Sequence, residues 1–238
     1  CTCRRASDMI QPHVLIGTIW WCVIWLAATG AQAGRYREPP MLQKRVETGM
    51  LPPIDERLPR DPIVVDTGGS IGRYGGQMRV MSSSVTDLPE VDFMVAEPIL
   101  RFHADGKTIT PNIVRDWEMS DDGKSITLYL RDGMRWSDGT PLTSEDFRFA
   151  YEDAICNEKI TPGVPGNYTT GGTPMQIELI DDTTFRYVFS EPYGAFPYFL
   201  TQSAGAGIIP PLVLPKHYLQ QFHPKYTLEA KVVAEAKE

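Results

Sequence analysis

The chain has 238 residues, 42% of them hydrophobic and 22% charged, and this ordinary globular composition excludes a chain that is disordered throughout. The formal net charge is −7, and the sequence has no cluster of five or more lysine and arginine residues. Nucleic acid and anionic lipid are therefore not expected as partners, because both bind through basic surfaces.

Residues 1–33 have the pattern of a secretory signal peptide. Two arginines precede an apolar run at residues 14–28, and small residues at positions 31 and 33 supply a cleavage pattern. The run is shorter than the roughly 20 residues that a membrane-spanning helix needs, so a retained membrane anchor is only the alternative. We expect export to the periplasm by a cleavable signal. Cys156 would be the one cysteine left, and no disulfide is expected.

Residues 34–67 are predicted to form an extended N-terminal arm, because prolines and charged residues dominate that stretch. Residues 63–65 and 77–81 are predicted as short strands because apolar residues recur there. Between these two strands, residues 66–76 contain five glycines and few apolar side chains, which favours a flexible loop.

Residues 108–155 show the clearest local pattern of the chain. Ile126, Leu128 and Leu130 alternate with residues that carry a polar group, and this alternation predicts a half-buried strand. Asp-Gly sequences on both sides of this strand predict tight turns. Residues 134–136 are predicted as a further short strand between two such turns.

A helix is predicted to follow Pro141. Thr143 can bond the first free amides of the helix, and Asp146, three residues later, can accept a bond from the Thr143 amide, as in a capping box. Helical spacing predicts a buried face made of Phe147, Ala150, Tyr151, Ala154 and Ile155.

A second hairpin is predicted from residues 176–180 and 185–189, joined by the polar residues 181–184. Residues 215–222 are predicted as a short helix. Residues 228–238 consist of helix-forming residues without a stop signal, so we expect the polypeptide to continue beyond them.

One sequence motif raises the question of catalysis. Residues 68–72 read G-G-S-I-G, which fits the pattern of a nucleophile elbow with Ser70 as the nucleophile. An elbow requires a helix directly after the serine, whereas the following residues predict a strand. A flexible loop is therefore the preferred interpretation, and an exported serine hydrolase that uses Ser70 is kept as an alternative function.

Metal binding, cofactors and acid-base chemistry are not expected. His217 and His223 are six residues apart, which is not a spacing typical of zinc ligands, and no cysteine or paired carboxylate accompanies them. The acidic pairs at residues 121–122 and 181–182 lie beside glycine or threonine, where carboxylates bond turn amides.

Aromatic residues are frequent in the chain and divide into two groups. Trp117 and Trp136 lie among predicted strands and are expected in the core. At residues 191–199, prolines oppose regular structure, so the rings there can pack in the core or at a hinge, or can line a cleft. Tyr193 is a candidate ligand-binding residue on the second interpretation.

Several longer motifs occur in a fixed order. Residues 111–118 read PNIVRDWE, residues 120–124 read SDDGK, and residues 130–143 read LRDGMRWSDGTPLT. This series resembles the extracellular solute-binding proteins of the oligopeptide, dipeptide and nickel type. The resemblance covers about residues 76–221 and is weaker after residue 180.

The resemblance implies a mixed α/β (α+β) fold of the periplasmic-binding-protein type with two lobes that close around a solute. Residues 68–238 would hold most of the first lobe, and the second lobe would be missing. By the same resemblance, the turn at residues 136–139 is architectural. Ser82, Ser83 and Ser84 would face the cleft and bond a peptide backbone.

The implied function is binding without chemistry. The protein would capture a small solute, most often a peptide and in some relatives a sugar or a metal chelate, and deliver it to the permease of an ABC importer. We expect a monomer, no enzyme activity and no bound cofactor or metal. An interaction module without a small ligand is kept as a further alternative.

Overall fold

An antiparallel sheet forms the centre of the structure. The structure is a computed structural model, and it describes residues 36–69, 72–77, 79, 81, 97–202 and 212–227. The strands are β1 Leu100–Phe102, β2 Ile109–Pro111, β3 Val114–Met119, β4 Ser125–Leu130, β5 Thr169–Thr170, β6 Thr173–Pro174, β7 Gln176–Asp181 and β8 Thr184–Val188. The central sheet has the strand order β3-β4-β8-β7, while β1 pairs with β2 and β5 pairs with β6. Together with the helices below, this gives the mixed α/β architecture that was predicted.

The N-terminal segment differs from the predicted extended arm at residues 34–67, because it contains helix α1 Pro40–Glu47 and helix α2 Ile54–Arg57. The physical reason for the wrong prediction is the position of Pro40. It occupies the first helical position, where its missing N–H costs no hydrogen bond and its fixed φ angle suits the helix. The Arg57 guanidinium bonds both carboxylate oxygens of Glu38 at 2.5 and 2.6 Å.

The two strands predicted before residue 82 do not appear in the described residues. Residues 63–65 are not in a strand, and Val64 and Val65 are 74% and 62% exposed. Residues 77, 79 and 81 are likewise outside any strand, and residues 78 and 80 lie outside the described residues. An apolar run forms a stable strand only where a neighbouring strand completes its hydrogen bonds.

The glycine-rich stretch agrees with the predicted loop wherever it is described. Residues 66–69 and 72–76 contain no helix or strand, and the Gly68 amide donates to the Asp66 carboxylate at 2.9 Å. Ser70 lies outside the described residues.

Strand β4 confirms the half-buried strand predicted from alternation. Ile126, Leu128 and Leu130 are fully buried, and β4 is paired on both sides, with β3 and with β8. The preceding turn is also as predicted, since the Gly123 amide donates to the Ser120 carbonyl at 2.8 Å. The prediction succeeds because the turn residues and the strand period favour the same structure.

The second hairpin is confirmed as β7 and β8. Its turn is held by Asp181, whose carboxylate accepts the Thr183 amide at 2.8 Å and the Thr183 hydroxyl at 2.9 Å. These bonds lower the pKa of Asp181, because they favour the charged carboxylate. The turn also supports the next element of the fold, since the Ser144 hydroxyl donates to the Asp181 carbonyl at 2.6 Å.

The helix predicted after Pro141 is present, but its geometry changes part of the way along. It begins as α3 Ser144–Arg148 with the expected capping box and continues as a π-helix, Phe149–Ile155. The Cys156 amide donates to the Tyr151 carbonyl, five residues earlier, at 2.8 Å. Two of its buried residues, Phe149 and Asp153, contact His223, Lys225 and Tyr226 and lie outside the core cluster. The buried residues of the helix are Ser144, Asp146, Phe147, Phe149, Ala150, Tyr151, Asp153 and Ile155.

The core lies where this helix packs on the sheet. The Phe147 ring stacks on Phe185 of β8 with centroids 4.4 Å apart, and Tyr151 meets Tyr187 edge-on at 6.3 Å. Trp117 packs against this core as expected, whereas Trp136 is half-buried and lies outside it. Each large side chain buried here contributes about 1.5–3 kcal/mol to stability.

Two further short helices follow the hairpin. Helix α4 Phe196–Phe199 forms although prolines were expected to oppose regular structure there, because Pro197 falls in its first turn. Helix α5 Lys216–Leu219 and the 3₁₀ turn Gln220–Phe222 confirm the helix predicted at residues 215–222. Within the described ranges, no helix has the length and apolar character needed to span a membrane.

Candidate functional site

The predicted ligand-binding serines cannot be placed in a site. Ser82, Ser83 and Ser84 lie outside the described residues. Their role as hydrogen-bonding partners of a ligand therefore stays a prediction.

Tyr193, the fourth predicted ligand residue, is half-buried in a group of aromatic rings. Its ring centroid lies 5.3 Å from that of Phe189 and 5.4 Å from that of Phe196. Its amide donates to the Gly123 carbonyl at 2.8 Å, which fixes the β3–β4 turn beside this group. The ring packs beside the core, and a ligand role for Tyr193 stays a prediction.

The turn at residues 136–139 is organised by its own hydrogen bonds. The Trp136 amide donates to the Thr140 carbonyl at 2.8 Å, and the Thr140 amide donates to the Asp138 carboxylate at 2.9 Å. The strand predicted at residues 134–136 is reduced to a single bridge between Arg135 and Pro141. The short loop between Arg135 and Pro141 leaves too few residues for a longer pair of strands. The contacts support an architectural role for the turn.

Asp146 connects three segments of the chain. Its buried carboxylate accepts the Trp136 indole N–H at 3.2 Å and the Thr143 amide at 2.9 Å through Oδ2. Its Oδ1 accepts the Lys216 amide at 2.9 Å. One carboxylate thus holds the turn, the start of α3 and a segment that returns from 70 residues further along the chain.

Leu212 and Val213 pack with the core, and we call the residues that follow them, 214–227, the strap; it contains α5 and the 3₁₀ turn. At its beginning, the Lys216 ammonium bonds the Glu145 carboxylate at 2.7 Å, and His217 Nε2 lies 2.7 Å from Asp138 Oδ2. The Thr140 amide and His217 together lower the pKa of Asp138. Burial raises the pKa of Glu145, but Lys216 and Arg148 outweigh burial and lower it.

The end of the strap is bound to the π-helix through Asp153. This buried carboxylate accepts the Lys225 ammonium at 2.7 Å and the Tyr226 hydroxyl at 2.5 Å. His223 Nε2 lies 3.2 Å from the Asp153 carbonyl and 3.2 Å from Asn157 Nδ2. The bond to Asp153 raises the pKa of Lys225, because it favours the charged ammonium.

A mainly apolar cavity lies between these two attachment points. Its volume is about 400 Å³, within the range of small-molecule pockets. The strap contributes Leu214, Leu219 and Phe222, and the π-helix contributes Phe149 and Ala154. The strap therefore contacts the helix firmly at both ends and leaves space beneath its middle.

The chemistry of these groups is that of binding and support. In the described part of the chain, no three histidine, cysteine or acidic side chains lie close enough together to hold a metal ion. The free thiol of Cys156 is half-buried, and burial raises its pKa, which lowers its reactivity. The residues described here supply no activated nucleophile.

The strap was missed at the sequence level, although α5 within it was predicted. The available signal was the spacing of acidic residues. Asp138, Glu145 and Asp153 follow one another at intervals of seven and eight residues, the first in the turn before the predicted helix and the other two within that helix. Their basic partners lie about 70 residues further along, so only the folded chain shows the pairing.

The architecture matches solved solute receptors. An oligopeptide-binding protein OppA superposes with a TM-score of 0.71 and 36% identity, covering 86% of this chain and 31% of that protein. The periplasmic binding protein MelB from Agrobacterium fabrum C58, solved with stachyose, gives a TM-score of 0.58 at 28% identity, covering 81% of this chain and 31% of that protein. The fold is therefore that of a periplasmic binding protein.

Sequence comparison identifies the family. Residues 108–227, just over half of the 238 residues, match the model of bacterial extracellular solute-binding proteins, family 5 Middle, and the chain belongs to this family. A periplasmic alpha-galactoside-binding protein of Rhizobium meliloti (strain 1021) is 31% identical over 215 residues, or 80% of this chain and 30% of the relative. The chain spans just under a third of the length of these relatives.

The relatives bind substrates and are not enzymes. The expectation that this chain is a binding protein without enzyme activity is therefore confirmed at the level of the family. The alternative of a serine hydrolase using Ser70 has no support from them.

Proposed function

We propose that the chain is part of the periplasmic solute-binding component of an ABC importer, which captures a small solute and delivers it to the membrane permease. The observation that carries this proposal is the family match over residues 108–227. The matching residues run from just before β2 to the end of the strap and therefore include both the Asp-Gly turns and the strap. Residues 1–33 would serve as the cleavable export signal.

A peptide is the proposed ligand class. It is favoured by the 36% identity and the TM-score of 0.71 with an oligopeptide-binding protein over 86% of this chain. Ser82, Ser83 and Ser84 would bond the peptide backbone, and Tyr193 would contribute its hydroxyl at the edge of the cleft.

An oligosaccharide is the second candidate ligand. The alpha-galactoside-binding relative aligns over 80% of this chain, and the MelB structure contains stachyose. Both candidates use the same kind of receptor, so they differ in the ligand and not in the mode of action.

A thermal-shift panel on the complete polypeptide tests the proposal. A ligand at about 100 times its dissociation constant adds about 2.7 kcal/mol of stability. For a domain of this size, this amount raises Tm by several degrees. We expect such a rise with a mixture of tri- to pentapeptides and none with stachyose. A rise with stachyose alone would transfer the proposal to the second ligand class.

The absence of any shift with peptides, stachyose or metal chelates would favour an interaction module without a small ligand. The proposed site has its own control. Replacing all three serines by alanine, or Tyr193→Phe, should weaken peptide binding about tenfold, because each removes hydrogen bonds to the ligand. If binding is unchanged in both variants, the site assignment is wrong, while the receptor function stands.

A further inference from the structure

We propose that the strap is a separable conformational element, which detaches from the helix as one unit while the four-stranded sheet stays folded. The inference concerns the described residues alone, and it holds whichever solute the protein binds. Four observations carry it: the charge of the attachment points, the bonding within the strap, the cavity beneath it and the lack of pairing with the sheet.

The attachment points join acidic side chains to two lysines and one imidazole. On the body of the lobe the charged partners are acidic, namely Asp138, Glu145 and Asp153. On the strap they are His217, Lys216 and Lys225, with contact distances of 2.7 Å in each pair. Ion pairs and side-chain hydrogen bonds can open without loss of the core packing that stabilises the sheet.

The middle of the strap is bonded within itself. The Leu219 amide donates to the Pro215 carbonyl at 2.9 Å, and the His223 amide donates to the Gln220 carbonyl at 3.2 Å. Near its end, the Thr227 amide donates to the His223 carbonyl at 3.1 Å. Because these bonds stay inside the strap, the strap can keep its helical turns when it leaves the helix.

Beneath the middle, the cavity of about 400 Å³ separates part of the strap from the π-helix. This partly open pocket interrupts the apolar contact beneath the middle of the strap, whereas at its end the rings of His223 and Tyr226 lie 6.0 and 5.9 Å from that of Phe149. Residues 214–227 contain helical turns and no strand, so no ladder of backbone bonds ties them to the sheet. Two amides of the strap bond Asp146 of α3: the Leu214 amide donates to its carbonyl at 3.4 Å and the Lys216 amide to its carboxylate at 2.9 Å.

Such an element suits a receptor that closes by a hinge. If the strap can detach from and return to the helix while the sheet stays folded, the lobe can change its conformation at this surface without unfolding.

Hydrogen exchange followed by NMR on the full chain tests the proposal. The amides of Leu214 and Lys216, which donate to the Asp146 carbonyl and carboxylate, report on detachment of the strap, and the amides of Leu128 and Tyr187 report on the sheet. In the wild-type protein the two strap amides should exchange at a common rate that is faster than that of the sheet amides. In Asp153→Asn the strap rate should rise roughly tenfold, because a charge-assisted attachment becomes a neutral one.

Asp121→Asn is the matched control. Asp121 is exposed in the β3–β4 turn, so the same chemical change there should leave the strap amides within about twofold of wild type. Raising the salt concentration should accelerate strap exchange in the wild type more than in Asp153→Asn.

Two results would overturn the proposal. The first is an unchanged strap rate in Asp153→Asn, which would mean that Asp153 does not hold the strap. The second is a joint acceleration of strap and sheet amides, or loss of the folded NMR spectrum in this variant. Joint acceleration or loss of the folded spectrum would show that the strap is an integral part of the core.

Discussion

The sheet with its helix and the N-terminal segment use apolar residues in opposite ways. In residues 114–189, the inward side chains of β4 and β8 are fully buried against Phe147. In residues 36–69, helices α1 and α2 contain no buried residue, and Met50 is 74% exposed. Both regions have regular structure, but only the helices of the first bury apolar side chains against a partner surface. Regular structure and burial are therefore separate properties of this chain.

The difference follows from what stabilises each region. Around the sheet, apolar burial adds to the hydrogen bonds of the turns and strands. The N-terminal segment is held by local bonds, such as that of Arg57 with Glu38, and by the Arg60 amide, which donates to the Asp132 carbonyl at 2.8 Å. Short helices are marginal without apolar packing, so this segment should open at much lower free energy.

The largest expected effect is that of Phe185→Ala. This ring is fully buried and stacked on Phe147, so its removal leaves a cavity and should lower the free energy of unfolding by about 3–5 kcal/mol. Met50→Ala is the matched change in the N-terminal segment and should cost no more than about 0.5 kcal/mol. Urea unfolding followed by tryptophan fluorescence measures both. Equal costs for the two variants would refute the contrast between the regions.

A smaller effect should distinguish two glycines with the same backbone geometry. Gly123 in the β3–β4 turn has a φ of +66°, and Gly68 in the loop has a φ of +65°. Alanine at either position is strained by about 1–2 kcal/mol. At Gly123 this strain should lower the free energy of unfolding of the sheet by the same amount. At Gly68 we expect a change below about 0.5 kcal/mol, because the loop can relax locally.

Urea midpoints of Gly123→Ala and Gly68→Ala give the comparison directly. The added methyl group at Gly123 would lie 3.5 Å from Pro192 Cβ, an ordinary contact, and at Gly68 it would meet no atom within 4 Å. Steric crowding is thus similar and small in both variants. If Gly68→Ala costs as much as Gly123→Ala, the loop is coupled to the sheet and the two regions unfold together.

Sequence reasoning succeeded where local signals and the final packing coincide. Strand β4, the β7–β8 hairpin and the capping box of Thr143 and Asp146 each combine a turn or cap residue with an apolar period. It failed at residues 63–65, where an apolar run has no partner strand, and at Pro40, where a proline begins a helix. Burial of Phe149 and Asp153 was also missed, because both are covered by His223, Lys225 and Tyr226 of the strap, more than 70 residues further along the chain.

The strap shows why part of the candidate site could not be predicted. No local pattern in the sequence distinguishes Lys216 and Lys225 from surface charges, and none links them to Glu145 and Asp153. Each pair is joined across about 70 residues, a separation that no local pattern reports. The family resemblance did indicate that the turn at residues 136–139 is architectural. It did not indicate that Asp146 connects this turn to the strap.

The smallest predicted effect concerns Asp105, in the β1–β2 turn between the two regions. Its carboxylate accepts the Thr108 hydroxyl at 2.6 Å and the amides of Lys107 and Thr108 at 2.8 and 2.9 Å. These bonds lower the pKa of Asp105 from its ordinary 3.8 to about 2. Since the folded pKa is the lower one, the carboxylate stabilises the turn fully above roughly pH 4, and this support disappears as the pH falls through about 2.

NMR can follow the Thr108 amide between pH 5 and pH 1.5. Its shift should titrate with a midpoint of about 2, and the same amide should show no such step in Asp105→Asn. The sheet amides of β4 should not follow this titration, because the turn is exposed and its bonds are local. A midpoint near 3.8 would mean that the three bonds are not maintained in solution. The β1–β2 turn would then behave like the N-terminal segment and not like the sheet.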